Sequence, residues 1–393
     1  MKKLKISDKK IFYSGLIYFI MMCVFVGVRI AAQYAPDGEN FWTSYGFTLI
    51  IQIGIMGILP FVLFKLFNKT KTKQVFRDYG FSRVSGKTIL YAVLISIAVY
   101  ICVIFIQSFW MTILYTFGYP VNSGGTTVQD TNPLVSFLIS LVFIAVLPGI
   151  FEEFAHRGMV MNSLKQHGVW RAICITALLF ALMHLSIVKV GYTFVVGVVL
   201  GIVAIITRSI WPCIVIHFTN NAISTYSDFA VKNNWFGADL INSFNNLMNG
   251  DSFLLSFIVV FVVLSVMTFV ITWLIGKMYN EGKRKHFAEF KKKMRQNLPD
   301  EEKKLEFDKM PDSAVLELYA QTMIADKQQK IKQAGMTEMQ YMQMVNKKGP
   351  MFLLLDESIV DKKKINKMDY IFYYCSIFLG SVITLMTYLW YVI

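Results

Sequence analysis

The sequence predicts an all-α fold, a polytopic membrane helix bundle of about nine spans with a cytoplasmic helical insertion. Three observations carry that prediction. Of the 393 residues, 55% are apolar and only 16% are charged, where an ordinary soluble domain has about a quarter charged. The mean hydropathy is +0.51. The apolar residues also gather into runs of about 20, the length that crosses a bilayer's hydrocarbon core. Disordered, collagen-like and typical cytosolic chains are excluded by the same figures.

The runs fall at roughly 11–34, 42–67, 88–117, 133–151, 170–188, 190–207, 210–229, 252–276 and 369–392. The first follows Lys2, Lys3, Lys5, Lys9 and Lys10, so the start of the chain is expected inside, where positive residues accumulate. Its length exceeds the core of a signal peptide, so it reads as an uncleaved span. The second is entered through Asp37 and Glu39 and left through Lys65, Lys69, Lys71, Lys73, Arg77, Arg83 and Lys87, which reads outside to inside. The third leads to a Gly-, Thr- and Asn-rich stretch at 118–132, expected outside. The fourth returns to Lys165 and Arg171. The fifth, the short sixth and the polar seventh continue the alternation, with Lys189 as the one exception to the charge rule. The eighth delivers residues 277–368, with 20 Lys/Arg and 14 Asp/Glu, to the inside, and the ninth places the C-terminus outside. The chain thus divides into N-terminal spans and a basic loop at 1–84, a membrane core at 85–276, a basic helical region at 277–368 and a last span at 369–393.

The net charge of +14 is read as topology rather than as a nucleic-acid footprint. Cys23, Cys102, Cys174, Cys213 and Cys375 all lie in apolar runs with no C-x-x-C pair, which argues against disulfides and a zinc ribbon. In the insertion, Asp312 is expected to cap a helix running to Lys332, and Thr337 a second one after Gly335. The expected setting of this helical hairpin is an anionic membrane surface. No internal repeat, phosphate-binding glycine loop or nucleic-acid motif is present.

Ionisable groups inside spans are costly, and by default they mark function. Here they concentrate in spans four to seven. Span four ends Leu147-Pro148-Gly149-Ile150-Phe151-Glu152-Glu153-Phe154-Ala155-His156-Arg157. Pro148 should loosen the helix just before the acids. Glu153 and Arg157 are four apart and should pair, while Glu152 points about 100° away and is left for chemistry. The bland alternative is two carboxylates capping the cytoplasmic end of a span. Span five ends Phe180-Ala181-Leu182-Met183-His184, and span seven carries His217-Phe218-Thr219-Asn220-Asn221, with Pro212 suited to its first turn. Packing histidines and interhelical hydrogen bonds are the bland readings of these two. Together, an acid, two histidines and an amide in low dielectric form a kit for attacking a carbonyl with water. Ser163, Ser186 and Ser224 lack a nucleophile elbow, and H-E-x-x-H is absent.

Glu-Glu-x-x-x-Arg at 152–157, Phe-x-x-x-His at 180–184 and His-x-x-x-Asn at 217–221 resemble the signature of the CAAX-protease and bacteriocin-processing (Abi) family, which includes the eukaryotic Ras-converting CAAX endopeptidase. The resemblance spans roughly 85–276. It implies an intramembrane endopeptidase in which Glu152 with His184 activates water, His217 and Asn221 stabilise the oxyanion, and Glu153 and Arg157 support the site. It implies no cofactor, or else zinc held by Glu152, His156, His184 and His217. The metal-free form is expected, because His156 stands at a variable position of the motif.

The expected reaction is hydrolysis of a peptide bond close to the cytoplasmic interface of a bacterial cell membrane. Its substrate would be a peptide precursor or a membrane-associated protein. The insertion at 277–368 and the last span lie outside the minimal family pattern and are expected to contact a protein partner; no nucleic acid is expected. Two other classes remain. One is a scaffold or immunity protein of the same fold that acts through a partner. The other is a proton-relay transporter, which predicts inverted repeats that the sequence does not show.

Overall fold

A computed structural model describes residues 8–33, 45–119, 132–248, 253–311 and 367–392, with a few further positions between 314 and 340. All regular structure among them is helical. In chain order the helices are α1 (Lys9–Gln33), α2 (Phe47–Asn68), α3 (Thr72–Asp78), α4 (Gly86–Thr116), α5 (Pro133–Leu164), α6 (Val169–Met183), α7 (Ile187–Thr207), α8 (Trp211–Asn233), α9 (Ala238–Met248), α10 (Phe253–Gln296), α11 (Glu301–Lys309) and α12 (Ile371–Val392). The protein is a multi-pass membrane protein. Within the described residues, seven helical segments are long and apolar enough to cross a bilayer, those at α1, α2, α4, α5, α7, α10 and α12. The other two expected spans are also helices. However, α6 has only 15 residues, and α8 carries a polar face of His217, Asn220, Asn221, Ser224, Thr225 and Asp228. The expected loop at Asp37 and Glu39, most of 118–132 and the Asp312 cap lie outside the described residues.

Local chemistry sets the helix starts. Ser85 Oγ accepts the Thr88 N–H at 3.2 Å to open α4, and Asn132 Oδ1 accepts from Leu134 and Val135 at 3.0 and 3.3 Å just before Pro133 opens α5. Pro212 occupies the first turn of α8 as the sequence predicts. Thr337 behaves as a cap: its Oγ1 accepts from the Gln340 N–H at 3.2 Å while the Gln340 side chain accepts from Thr337 at 2.9 Å, a reciprocal box. Two boundaries differ from expectation. Helix α5 does not stop near 151 but runs on to Leu164, so the Glu152–Arg157 motif is mid-helix rather than an end cap. Helix α10 passes 276 without a break and continues to Gln296.

The bundle packs α6 along α7, α4 against α8 and α10, and α1 against α12. Large side chains such as Phe109, Phe261, Phe269, Trp273 and Phe378 are exposed; on a membrane protein that is the lipid-facing surface. Without a water-driven force between helices, close approach depends on small residues. A Cβ on Gly197 of α7 would sit 2.9 Å from Ala177 Cα of α6, and one on Gly149 of α5 would sit 3.2 Å from the Phe218 nitrogen of α8. Interhelical hydrogen bonds supplement this packing: Ser96 Oγ donates to Ile216 O at 3.2 Å, and Trp110 Nε1 to Ile187 O at 2.7 Å.

The contact at Gly197 is with backbone and cannot be relieved by a rotamer change. Gly197→Ala is therefore expected to lower stability in detergent by roughly 1–3 kcal/mol, whereas Gly27→Ala, which meets nothing within 4 Å, should leave it unchanged. Thermal unfolding of the two variants checks this; equal midpoints would remove the close-packing explanation.

Candidate active site

The predicted residues converge on Phe180, near the end of α6. Its ring lies edge-to-face with His156, His184 and His217, at centroid separations of 5.2, 5.2 and 5.7 Å. The Arg157 guanidinium stands over it at 4.7 Å, a cation–π contact in a dry setting.

Arg157 is only 1% exposed. It donates from Nη1 to Glu153 Oε1 at 2.9 Å and from Nη2 to the Gly197 carbonyl at 3.1 Å. The predicted Glu153–Arg157 pair is therefore present, and both side chains are fully buried. The same Glu153 oxygen accepts from His217 Nδ1 at 2.8 Å. Since a carboxylate only accepts, Nδ1 carries the proton, and Nε2 is the ring atom left for substrate.

Helix α6 ends at Met183, just before His184, because the chain turns sharply there, with Leu185 at φ 47°. The His184 N–H bonds to Ala181 O rather than to Phe180 O. The freed Phe180 carbonyl accepts from His184 Nδ1 at 2.9 Å, so this ring too holds its proton on Nδ1 and leaves Nε2 open. Pro148 works in a similar way on α5. It has no N–H for the carbonyl four residues back, and that carbonyl, Ile144 O, accepts from Asn221 Nδ2 at 2.9 Å. One hydrogen of the Asn221 amide is thus used for docking, and the other remains.

Glu152 is not free as the sequence suggested. Gln52 Nε2 of α2 donates to its Oε1 at 2.8 Å. Gln52 is buried at 7% exposure, and its own Oε1 has no partner. Glu152, His184 and Asn221 are half-buried, while Glu153, His156, Arg157 and His217 are buried behind them. A π-helical stretch at Ile50–Ile58 carries Gln52, and two more, Leu141–Val146 and Phe154–Met161, flank the acids; such widened turns are frequent at functional sites.

His156 has a different role from its neighbours. Its Nδ1 donates to the Glu152 carbonyl at 2.8 Å, and its Nε2 meets the Tyr18 hydroxyl at 3.0 Å. With both nitrogens engaged, it does not fit the four-residue zinc set. No three His, Cys, Asp or Glu side chains gather as a metal-holding group among the described residues. Sequence reasoning missed Gln52 and Tyr18. Gln52 had a signal, being a lone amide within an apolar span; Tyr18 looked like any aromatic.

Residues 134–223 match the family model described as type II CAAX prenyl endopeptidase Rce1-like. This bears out the resemblance drawn from the three motifs, and the matched segment contains all of the predicted site residues. Gln52 and Tyr18 lie outside it. No curated protein and no solved structure matches the chain.

Removing Arg157 leaves Glu153 charged in a buried site. Arg157→Ala is expected to cost roughly 3–5 kcal/mol, while the double change Glu153→Gln with Arg157→Met, which removes both charges, should recover part of that loss. Unfolding midpoints and membrane yields of the single and double variants measure the difference.

Proposed function

We propose that this protein is an intramembrane endopeptidase that hydrolyses a peptide bond with water activated by Glu152. The observation that supports it best is the two-layered site. The half-buried Glu152, His184 and Asn221 can be reached by substrate, and a buried Glu153–Arg157–His217 network fixes the floor. The Rce1-like match over α5–α8 supports the same reaction class.

In this reading, water is held between the Glu152 carboxylate and the unprotonated Nε2 of His184. Glu152 takes one proton as the oxygen attacks the scissile carbonyl, giving a tetrahedral oxyanion. The free N–H of Asn221 faces that charge. His217 presents Nε2 to the same space, held in that orientation by its Nδ1 hydrogen bond to Glu153. Protonated Glu152 then returns its proton to the departing amine. Each of these steps uses residues of the chain alone. Glu152 stands twelve residues before the end of α5, roughly 18 Å along a helix rising 1.5 Å per residue. The reaction is therefore proposed within the bundle, on the part of α5 that leads to its expected cytoplasmic end. A peptide precursor or membrane-associated protein that threads an extended segment between the helices suits such a site.

The charge pattern supports a topology with residue 8 and α11 on the cytoplasmic side and the end of α12 outside. Cysteines placed singly at 305 and 392, in a background without the five native thiols, should label from opposite sides of the membrane. Labelling from one side would require a different number of crossings.

Glu152→Gln should abolish turnover while leaving unfolding and membrane abundance close to wild type. Asn221→Ala should lower the rate about 10²–10³-fold. A well-folded Glu152→Gln protein with wild-type turnover would overturn the catalytic assignment and leave a scaffold role as the better account.

A further inference from the structure

Gln52 lies outside the segment that matches the family model, yet it is the residue that holds the Glu152 side chain. Its Nε2 donates to Glu152 Oε1 at 2.8 Å, and no other described residue hydrogen-bonds to that carboxylate. The direction of the bond follows from charge. A reversed amide would set its oxygen against a carboxylate oxygen, two acceptors with no proton between them. Gln52 is buried, and its own Oε1 has no hydrogen-bond partner among the described residues. Leaving a buried acceptor unpaired is unfavourable, and a methionine of similar length would carry no such cost. Packing alone therefore does not account for an amide at this position.

The backbone of α2 is shaped to deliver that amide. Five residues after Gln52, Gly57 lies against Phe151, the chain neighbour of Glu152; a Cβ on Gly57 would come within 2.6 Å of the Phe151 ring. Residues five apart on an α-helix point about 140° away from each other. The stretch Ile50–Ile58 is π-helical instead, and its i→i+5 bonds bring such residues closer to one face. The Gly57 contact and the Gln52 hydrogen bond are thus made on the same side of α2. The missing side chain at Gly57 lets α2 approach α5, and the widened turn sets the amide beside the acid.

We infer that Gln52 is a positioning residue for the hydrolysis, holding Glu152 Oε1 so that Oε2 is the oxygen that meets water and carries the proton. This role rests on the proteolytic reading of the site. The amide N–H on Oε1 leaves no room for a second hydrogen between the two atoms, so the proton that Glu152 takes from water is directed to Oε2. As it moves, the water oxygen bonds to the scissile carbonyl carbon and the carbonyl π pair passes to the oxyanion. When the C–N bond breaks, the same proton goes from Oε2 to the departing nitrogen. Without Gln52 the carboxylate can rotate, and the proton can be held on an oxygen turned away from the substrate.

The test compares the full-length wild-type protein with Gln52→Met, which keeps the length and the packing and removes the donor. Infrared difference spectra, taken for each protein with and without Glu152→Gln, isolate the Glu152 carboxylate bands in the absence of substrate. Those bands should shift in Gln52→Met. Turnover is read on a synthetic peptide spanning a cleavage point that requires Glu152; kcat should fall roughly 10–100-fold with KM unchanged. The thermal unfolding midpoint should stay equal or rise, because an unpaired buried acceptor is removed. A merely structural glutamine gives the opposite pattern, a lower midpoint with unchanged bands and kcat. Unshifted bands, or wild-type kcat in Gln52→Met, overturn the positioning role and leave the proteolytic reading standing. The absence of any Glu152-dependent cleavage overturns that reading and this role together. Should Gln52→Met fail to fold, Gln52→Asn keeps an amide but draws it back by one methylene from Oε1, and the same band shift and loss of kcat are expected; wild-type values of both overturn the inference.

Discussion

The arrangement depends on one buried cation. Arg157 is almost fully buried, and besides Glu153 on its own helix it touches two others: the Gly197 carbonyl on α7 and the Phe180 face on α6. A buried ion pair of this kind is a poor source of net stability, because desolvating both charges offsets most of their attraction. What it supplies is geometry. Glu153 holds Arg157 and His217 on a single oxygen, which fixes the rotation of α8 relative to α5. Gly197 has no side chain, so α7 comes close enough for its carbonyl to accept from Arg157 Nη2.

Around that pair the backbone creates acceptors that side chains then satisfy, and this explains why the reactive residues sit where they do. Pro148 leaves Ile144 O for Asn221. The abrupt end of α6 leaves Phe180 O for His184. Each case begins with a missing backbone donor and ends with a polar side chain docked in a defined orientation, which follows from the cost of leaving a buried carbonyl unpaired. In His184 and His217 alike, Nδ1 is engaged and Nε2 is left, so the tautomers are set by the fold rather than by a substrate.

Much of this was legible in the sequence. Apolar runs of span length located the seven helices long and apolar enough to cross a bilayer, and the helices α6 and α8 as well; the i, i+4 spacing of Glu153 and Arg157 gave their pair. Helix ends were less visible, because hydropathy does not report a backbone turn. The apolar run through Leu185 hid the end of α6 at Met183, and the polar motif at 152–157 concealed that α5 continues to Leu164. The partners of Glu152 and His156 were not legible at all. Gln52 and Tyr18 are remote in the chain, and only packing of α1 and α2 against α5 brings them in. The freedom assigned to Glu152 was thus an inference from one helix, corrected by its neighbour.

The central claim is that Glu152 makes a peptide-bond-cleaving nucleophile inside the bundle. Its most direct test is mass-spectrometric comparison of protein termini in membranes from cells expressing the wild-type chain or Glu152→Ala at equal abundance. The account predicts one or more new termini, within or beside membrane segments, that are present with wild type and absent with the variant. Identical sets of termini in the two membranes would contradict it.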